Sequence, residues 1–193
     1  MPPRTNRIPS GQYWVTWVKR YAPNSMNEDD LDMKFRDKAK EFIAALKAAG
    51  AKVEVKHTRR TEQAAYLWHW AWKIAKRRCA PKDAKPYSKS PPIPNIQWDH
   101  GNLVKSIKGA QEMVDGFGLV HEPPLNSRHI PGLAIDMKIT WSGTIPVKKK
   151  DGSKASIPYM IDVNANTALH DVGESYGVKK LKNDKPHWSI DGH

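Results

Sequence analysis

The spacing of apolar residues changes from a helical to a strand period at Gly50. Before this glycine, apolar side chains recur every three or four positions through residues 31–49, which predicts an amphipathic helix that the glycine ends. Directly after it, apolar and polar residues alternate through residues 52–57, which predicts a strand. Helical and strand periods follow one another along the chain without regular alternation, so the sequence predicts an α+β fold.

The same patterns predict the remaining elements. A run of aromatic and β-branched residues at 13–18 predicts a strand. Thr61 is a candidate N-cap for a helix, and Gly118 is a candidate helix end. The other predicted elements are helices at 61–78, 102–117 and 167–176, a strand at 134–141, a hairpin that turns at Asp151-Gly152, and a strand and turn within 178–193.

The length of 193 residues suits one domain, and we expect a single domain over residues 1–193. Residues 81–94 contain five prolines but no change in composition follows them, so a loop within the domain is expected there. No apolar run approaches the roughly eighteen residues of a membrane span. Residues 1–7 lack the apolar stretch of a signal peptide, which predicts that any release from the cytoplasm uses another route.

The charge balance favours a polyanionic partner. Thirty-two lysines and arginines against twenty acidic residues leave a formal net charge of +12. Nucleic acid, an acidic membrane surface and an anionic cell-wall polymer all remain open on this basis, as does a surface that is basic for solubility alone. The single cysteine excludes an intrachain disulfide framework and a zinc site built from several cysteines.

Residues 127–136, with the sequence SRHIPGLAID, combine a histidine and a carboxylate around a turn. His129 and Asp136 lie seven positions apart, and Gly132 permits the turn between them. Strand alternation places Asp136 on the face opposite Ile135. A carboxylate in a hydrophobic strand is costly to bury unless it is paired or binds a cation, so the segment suggests a metal site.

A second segment with chemical character is DKPHW, in which Asp184 precedes His187 by three positions. Two histidines and one carboxylate leave a fourth coordination position for water, as in catalytic zinc sites. Another carboxylate beside that position could accept a proton from the water. The two segments together suggest metal-dependent hydrolysis.

These two segments resemble the LAS-type zinc peptidases, a group of D-Ala-D-Ala carboxypeptidases and peptidoglycan endopeptidases. SRHIPGLAID matches the SxHxxGxAxD pattern of that group at every fixed position, and DKPHW is similar to its later ExxH element. The resemblance covers about residues 52–193, with residues 1–51 expected to add a strand and a helix to the same domain. It implies the group's fold, with a small, mostly antiparallel sheet flanked by helices.

The resemblance also implies the metal chemistry. It makes His129, Asp136 and His187 the ligands of one zinc ion. It makes Asp184 the general base that activates the attacking water and later protonates the leaving amine.

The same resemblance implies that further residues of this chain contact the substrate. Arg60 falls where the group has a Thr-x-Arg arginine, which implies that it polarises the scissile carbonyl or binds a substrate carboxylate. Arg59 is the less favoured occupant of that role. Gln63 on the following helix and Ser127, the first residue of the motif, are expected to shape the substrate pocket.

The chain departs from the group's pattern at two positions. Asp184 replaces a glutamate, and Ser189 replaces the second histidine of the frequent ExxHxH form. Family members with aspartate here cut the L-Ala–D-Glu bond, so the resemblance favours an endopeptidase over a D,D-carboxypeptidase. The shorter side chain could instead mean weakened catalysis.

The resemblance therefore implies a monomeric zinc peptidase that cuts peptidoglycan stem peptides. It would be either an endolysin released by a holin or a secreted antibacterial effector with an immunity partner. Neither nucleic-acid binding nor membrane insertion is expected. One alternative is a wall-binding module that is catalytically weak or inactive. Another, based on net charge alone, is a basic nucleic-acid-binding protein.

Overall fold

The computed structural model describes residues 7–193, which form two compact units. The first unit contains the described residues up to Pro23 together with Thr61–Ser127, and the second contains Asn24–Arg60 and Arg128–His193. The prediction that the chain lacks a signal peptide is based on residues 1–7. Residues 1–6 lie outside the described residues. Among residues 7–193, no helix is both long enough and apolar enough to span a membrane. The single peptidase domain stays a prediction.

Helices and short strands alternate irregularly along the chain, as predicted for an α+β protein. In chain order the elements are β1 (Ile8–Pro9), α1 (Gln12–Tyr21), α2 (Met33–Ala48), β2 (Lys52–His57), α3 (Glu62–Ala75), β3 (Ile96–Gln97), α4 (Leu103–Phe117), β4 (Ala134–Thr140), β5 (Thr144–Lys148), β6 (Lys154–Pro158), α5 (Thr167–Ser175), β7 (Lys179–Lys180) and β8 (His187–Ser189). Short 3-10 turns join several of them.

The first unit is helical, with α1, α3 and α4 around a core that includes Trp14, Leu67 and Met113, each fully buried. The two-residue strands β1 and β3 pair in parallel beside these helices. Thr61 caps α3 as predicted, since its hydroxyl accepts a hydrogen bond from the backbone N–H of Ala64 at 3.2 Å. Helices therefore supply most of the core of this unit.

The prediction of a strand at 13–18 is wrong, because these residues lie in α1. Trp14, Val15 and Val18 are buried, and this i, i+1, i+4 spacing places them on one side of a helix. The residues between them are exposed or partly exposed. Burial of that helical stripe outweighed the strand propensity of aromatic and β-branched side chains.

Helix α4 begins and ends as its sequence predicts. The Asn102 side chain accepts a hydrogen bond from the backbone N–H of Lys105 at 3.0 Å, which caps the first turn. Gly118 ends the helix in the left-handed conformation, with φ of 67°. Both ends of the helix are therefore marked by residues of its own sequence.

Replacing Asn102 with alanine is therefore expected to lower the free energy of unfolding by about 1 kcal/mol, because one N-terminal N–H loses its partner. An aspartate at this position retains an acceptor and is expected to keep most of the stability. Urea denaturation of both variants beside the wild-type protein measures the difference. An alanine variant as stable as the wild type would contradict the capping role.

The second unit contains a four-stranded antiparallel sheet in the order β2-β4-β8-β7. Its core contains Phe42 of α2, Val172 of α5 and Ile135 of β4, which are fully buried. The separate β5–β6 hairpin turns at Asp151-Gly152, as predicted. Along β4, Ile135 points into the core and Asp136 occupies the alternate, partly exposed position, also as predicted.

Candidate metal centre

The register of the sheet brings two histidines to the same carboxylate. Asp136 lies near the middle of β4, and His187 on β8 is its directly paired residue. On the other side, β2 contains a β-bulge between Val55 and His57 that makes Lys56 the extra residue. The bulge pairs His57 with Asp136, whereas an unbroken register would place Lys56 there. Both strands that flank Asp136 therefore present an imidazole to it.

A third histidine reaches this carboxylate from the turn before β4. The carbonyl of His129 accepts hydrogen bonds from the backbone N–H groups of Arg60 at 3.0 Å and Gly132 at 3.2 Å. Gly132 has φ of +74°, and a Cβ there would lie 2.8 Å from the backbone nitrogen of Asp32. Only glycine fits this position, so the turn that aims His129 depends on it. The His129 side chain is only 2% exposed.

Three potential ligand atoms form an almost regular triangle. The distances among His129 Nε2, Asp136 Oδ1 and His187 Nδ1 are all 3.2 Å. In a tetrahedral zinc site with bonds of about 2.0–2.1 Å, neighbouring ligand atoms are separated by about 3.3 Å. The triangle therefore has the size that three ligands of one such ion require.

The opposite nitrogen of each imidazole is held by a backbone carbonyl. His129 Nδ1 lies 2.8 Å from the carbonyl oxygen of Thr58, and His187 Nε2 lies 3.1 Å from that of His193. A carbonyl only accepts, so these nitrogens carry the protons. When both imidazoles are neutral, His129 Nε2 and His187 Nδ1 present lone pairs beside the Asp136 carboxylate and can bind a cation there; when protonated, the same nitrogens donate to that carboxylate. Three electron-pair donors that converge in this way are suited to a cation.

His57 is the residue that the sequence reasoning missed. His57, His129 and Asp136 each offer a ligand atom, all within 4.8 Å of one another, so this group could hold a metal ion. His57 Nδ1 is 3.5 Å from Asp136 Oδ2, and its ring stacks on that of His129 with 4.4 Å between centroids. Asp136 thus faces His57 with one oxygen and both His129 and His187 with the other.

Hydrogen bonds from the surrounding imidazoles keep the Asp136 carboxylate ionised. Burial alone would raise the pKa of Asp136, but the imidazoles of His129, His187 and His57 outweigh this effect and hold the pKa well below its ordinary value. Burial lowers the pKa of the Arg60 guanidinium to about 10, although Asp136 and Asp184 act in the opposite direction. Arg60 therefore remains a cation at neutral pH, in the electrostatic field of both carboxylates.

Asp184 is exposed in the turn that joins β7 to β8. Its backbone N–H donates to the carbonyl of Leu181 at 3.2 Å, and its own carbonyl accepts from the N–H of His187 at 3.1 Å. The same short turn therefore delivers both Asp184 and His187. The predicted role of Asp184 as base remains a prediction.

The residues predicted to bind substrate fall in different parts of the chain. Arg59 belongs to the second unit and is exposed, whereas Gln63 and Ser127 belong to the first. The Gln63 side chain is buried, and its amide donates to the carbonyl of Pro91 at 3.0 Å. Their substrate contacts remain predictions.

Comparison with protein-family models and with curated proteins finds no match to this chain.

Proposed function

We propose that this protein is a zinc-dependent peptidase that hydrolyses an amide bond in bacterial peptidoglycan stem peptides and has the LAS-type fold. The observation that supports this most strongly is the triangle of His129 Nε2, Asp136 Oδ1 and His187 Nδ1, with sides of 3.2 Å. The similarity of residues 127–136 to the SxHxxGxAxD pattern supplies the reaction class.

His129, Asp136 and His187 would hold the ion, and two imidazoles with one carboxylate suit zinc. Zinc bound there would act as a Lewis acid toward water and the scissile carbonyl. His57 faces the second oxygen of Asp136 at 3.5 Å and would orient that carboxylate from the side. The fourth coordination position of the ion would be left to water or substrate.

Asp184 and Arg60 supply the remaining chemistry. The exposed carboxylate of Asp184 is free to accept a proton from the attacking water and return it to the leaving amine. Arg60 keeps its positive charge at neutral pH and would offset negative charge that develops on the carbonyl oxygen. Aspartate at position 184 favours cleavage of the L-Ala–D-Glu bond within the stem peptide.

The replacement of a histidine by Ser189 is compatible with activity. Ser189 is fully buried, and its hydroxyl accepts hydrogen bonds from the backbone N–H groups of Gly192 at 2.8 Å and His193 at 3.0 Å. These bonds hold the segment whose carbonyl accepts from His187 Nε2. Ser189 thus supports a ligand indirectly and needs no metal contact of its own.

Mass spectrometry of fragments released from purified peptidoglycan tests the proposal. Zinc-loaded protein is expected to generate new stem-peptide termini whose masses identify the bond, and chelated protein is not. Wall binding without released peptides would instead establish the inactive binding module. Affinity for nucleic acid that does not depend on zinc and falls steeply with salt would instead favour a basic nucleic-acid-binding protein.

An Arg60→Lys variant is expected to lose about 10- to 100-fold in kcat/KM, because a charge-assisted hydrogen bond contributes about 1.5–3 kcal/mol. Steady-state hydrolysis of a synthetic stem peptide gives the comparison. The matched control is Arg78→Lys at an exposed position in the first unit, which is expected to retain activity. Equal losses in the two variants would contradict a specific role for Arg60.

A further inference from the structure

The turn that delivers Asp184 and His187 encloses a buried ammonium group. Lys180, on β7, is only 7% exposed. Its Nζ donates to the carbonyl oxygens of Leu181 at 2.6 Å and His187 at 3.1 Å, and also to that of Asp184. An ammonium has three donor hydrogens, so these three carbonyls account for its full capacity.

The same three carbonyls are joined by a closed ring of backbone hydrogen bonds. The N–H of Asp184 donates to the carbonyl of Leu181, the N–H of His187 to that of Asp184, and the N–H of Leu181 to that of His187. The donor–acceptor distances are 3.2, 3.1 and 3.2 Å. Each carbonyl therefore accepts one backbone N–H and one bond from Lys180. Three carbonyl dipoles that converge on one point repel one another unless a cation lies there, and Lys180 supplies that cation.

We infer that Lys180 is a positioning residue that sets Asp184 and His187 in their places at the metal centre. This inference rests on the proposed function, in which Asp184 is the base and His187 is the third zinc ligand. The bonds involve an ionised donor and are stronger than neutral ones. The fully buried Trp188 ring, 5.6 Å from Nζ, closes another side of the site. Loss of the ammonium would release the turn at three points at once.

The neighbouring lysine provides a matched control. Lys179 is exposed, and its Nζ lies 3.6 Å from a carboxylate oxygen of Glu174. Lys179→Met therefore removes the same charge one residue away, without touching the ring of carbonyls. Lys180→Met keeps the length and apolar stem of the side chain and removes only the ammonium.

Amide hydrogen exchange, zinc affinity and kinetics of Lys180→Met test the inference. The amides of Leu181, Asp184 and His187 are expected to exchange at least about tenfold faster, while those of β4 keep their protection. Zinc affinity, measured by competition with a chromophoric chelator, is expected to fall about 10- to 100-fold, as for loss of a group that orients a ligand. With saturating zinc, the fold-decrease in kcat is expected to be larger than the fold-change in KM. Lys179→Met is expected to match the wild type in every readout.

Wild-type exchange and zinc affinity in Lys180→Met would overturn the inference, and so would a loss of protection that is uniform across the sheet. If the methionine variant does not fold, the same measurements are made on Lys180→Gln, whose side-chain amide provides two N–H donors. Its three turn amides and its zinc affinity are expected to be intermediate, and wild-type values would overturn the inference. A wild-type protein that binds no zinc and cleaves no peptide would defeat the proposed function, whereas the exchange pattern would still report on the turn.

Discussion

Replacement of His129 by alanine is expected to weaken zinc binding by at least about 100-fold and to abolish peptide hydrolysis with it. Its Nε2 lies 3.2 Å from both Asp136 Oδ1 and His187 Nδ1, so the change removes one corner of the triangle. Loss of an outer group that orients a ligand lowers metal affinity about 10- to 100-fold, and loss of a ligand itself is expected to cost at least about 100-fold. Chelator competition measures the affinity directly.

The control for this experiment is His121→Ala, which removes an exposed imidazole from the first unit and is expected to bind zinc as the wild type does. Because His129 is buried, the variant also leaves a cavity, and its thermal unfolding is compared with that of the metal-free wild type. A folded His129→Ala protein with wild-type zinc affinity would show that His129 is not a ligand.

Asp184→Asn is expected to lower turnover by about 100- to 10,000-fold, the usual contribution of a general base, with little change in zinc affinity. The hydrogen bonds that hold the turn use the backbone N–H and carbonyl of Asp184. Asparagine preserves these bonds and removes the basic oxygen. Turnover is therefore expected to fall while zinc affinity stays near the wild-type value, whereas His129→Ala is expected to lower both.

Hydrolysis of a synthetic stem peptide gives kcat, and the same chelator competition gives zinc affinity. Asp171→Asn, at an exposed position on α5, is the control and is expected to remain active. Full activity of Asp184→Asn would transfer the role of base to another group. Loss of zinc binding in this variant would show that the carboxylate serves the metal instead.

The fold was predictable where one period of apolar residues dominated a segment. Alternation in β4 correctly separated Ile135 from Asp136, and Gly118 correctly marked the end of α4. Residues 13–18 satisfied two patterns at once, because Trp14 and Val18 lie on one helical face within a run of strong strand formers. Packing against other helices decided between them, and a local pattern contains no information on that packing.

The candidate site was predictable only where its residues belong to a recognisable motif. His57 was missed because its approach to Asp136 depends on the bulge at Lys56, and strict alternation in β2 gives no sign of a bulge. Lys180 was missed because it is one of several lysines in its segment. Its burial follows from the pairing of β7 with β8, which is a property of the folded chain.

X-ray absorption at the zinc K-edge of the zinc-loaded protein tests the central claim most directly. We expect one zinc per chain, with about four nitrogen or oxygen ligands at about 2.0–2.1 Å, no sulfur and the scattering of two imidazoles. His187→Gln is expected to remove one imidazole from the spectrum, and His57→Gln is expected to leave both. No stoichiometric zinc, or an imidazole lost with His57 but not with His187, would contradict the proposed centre.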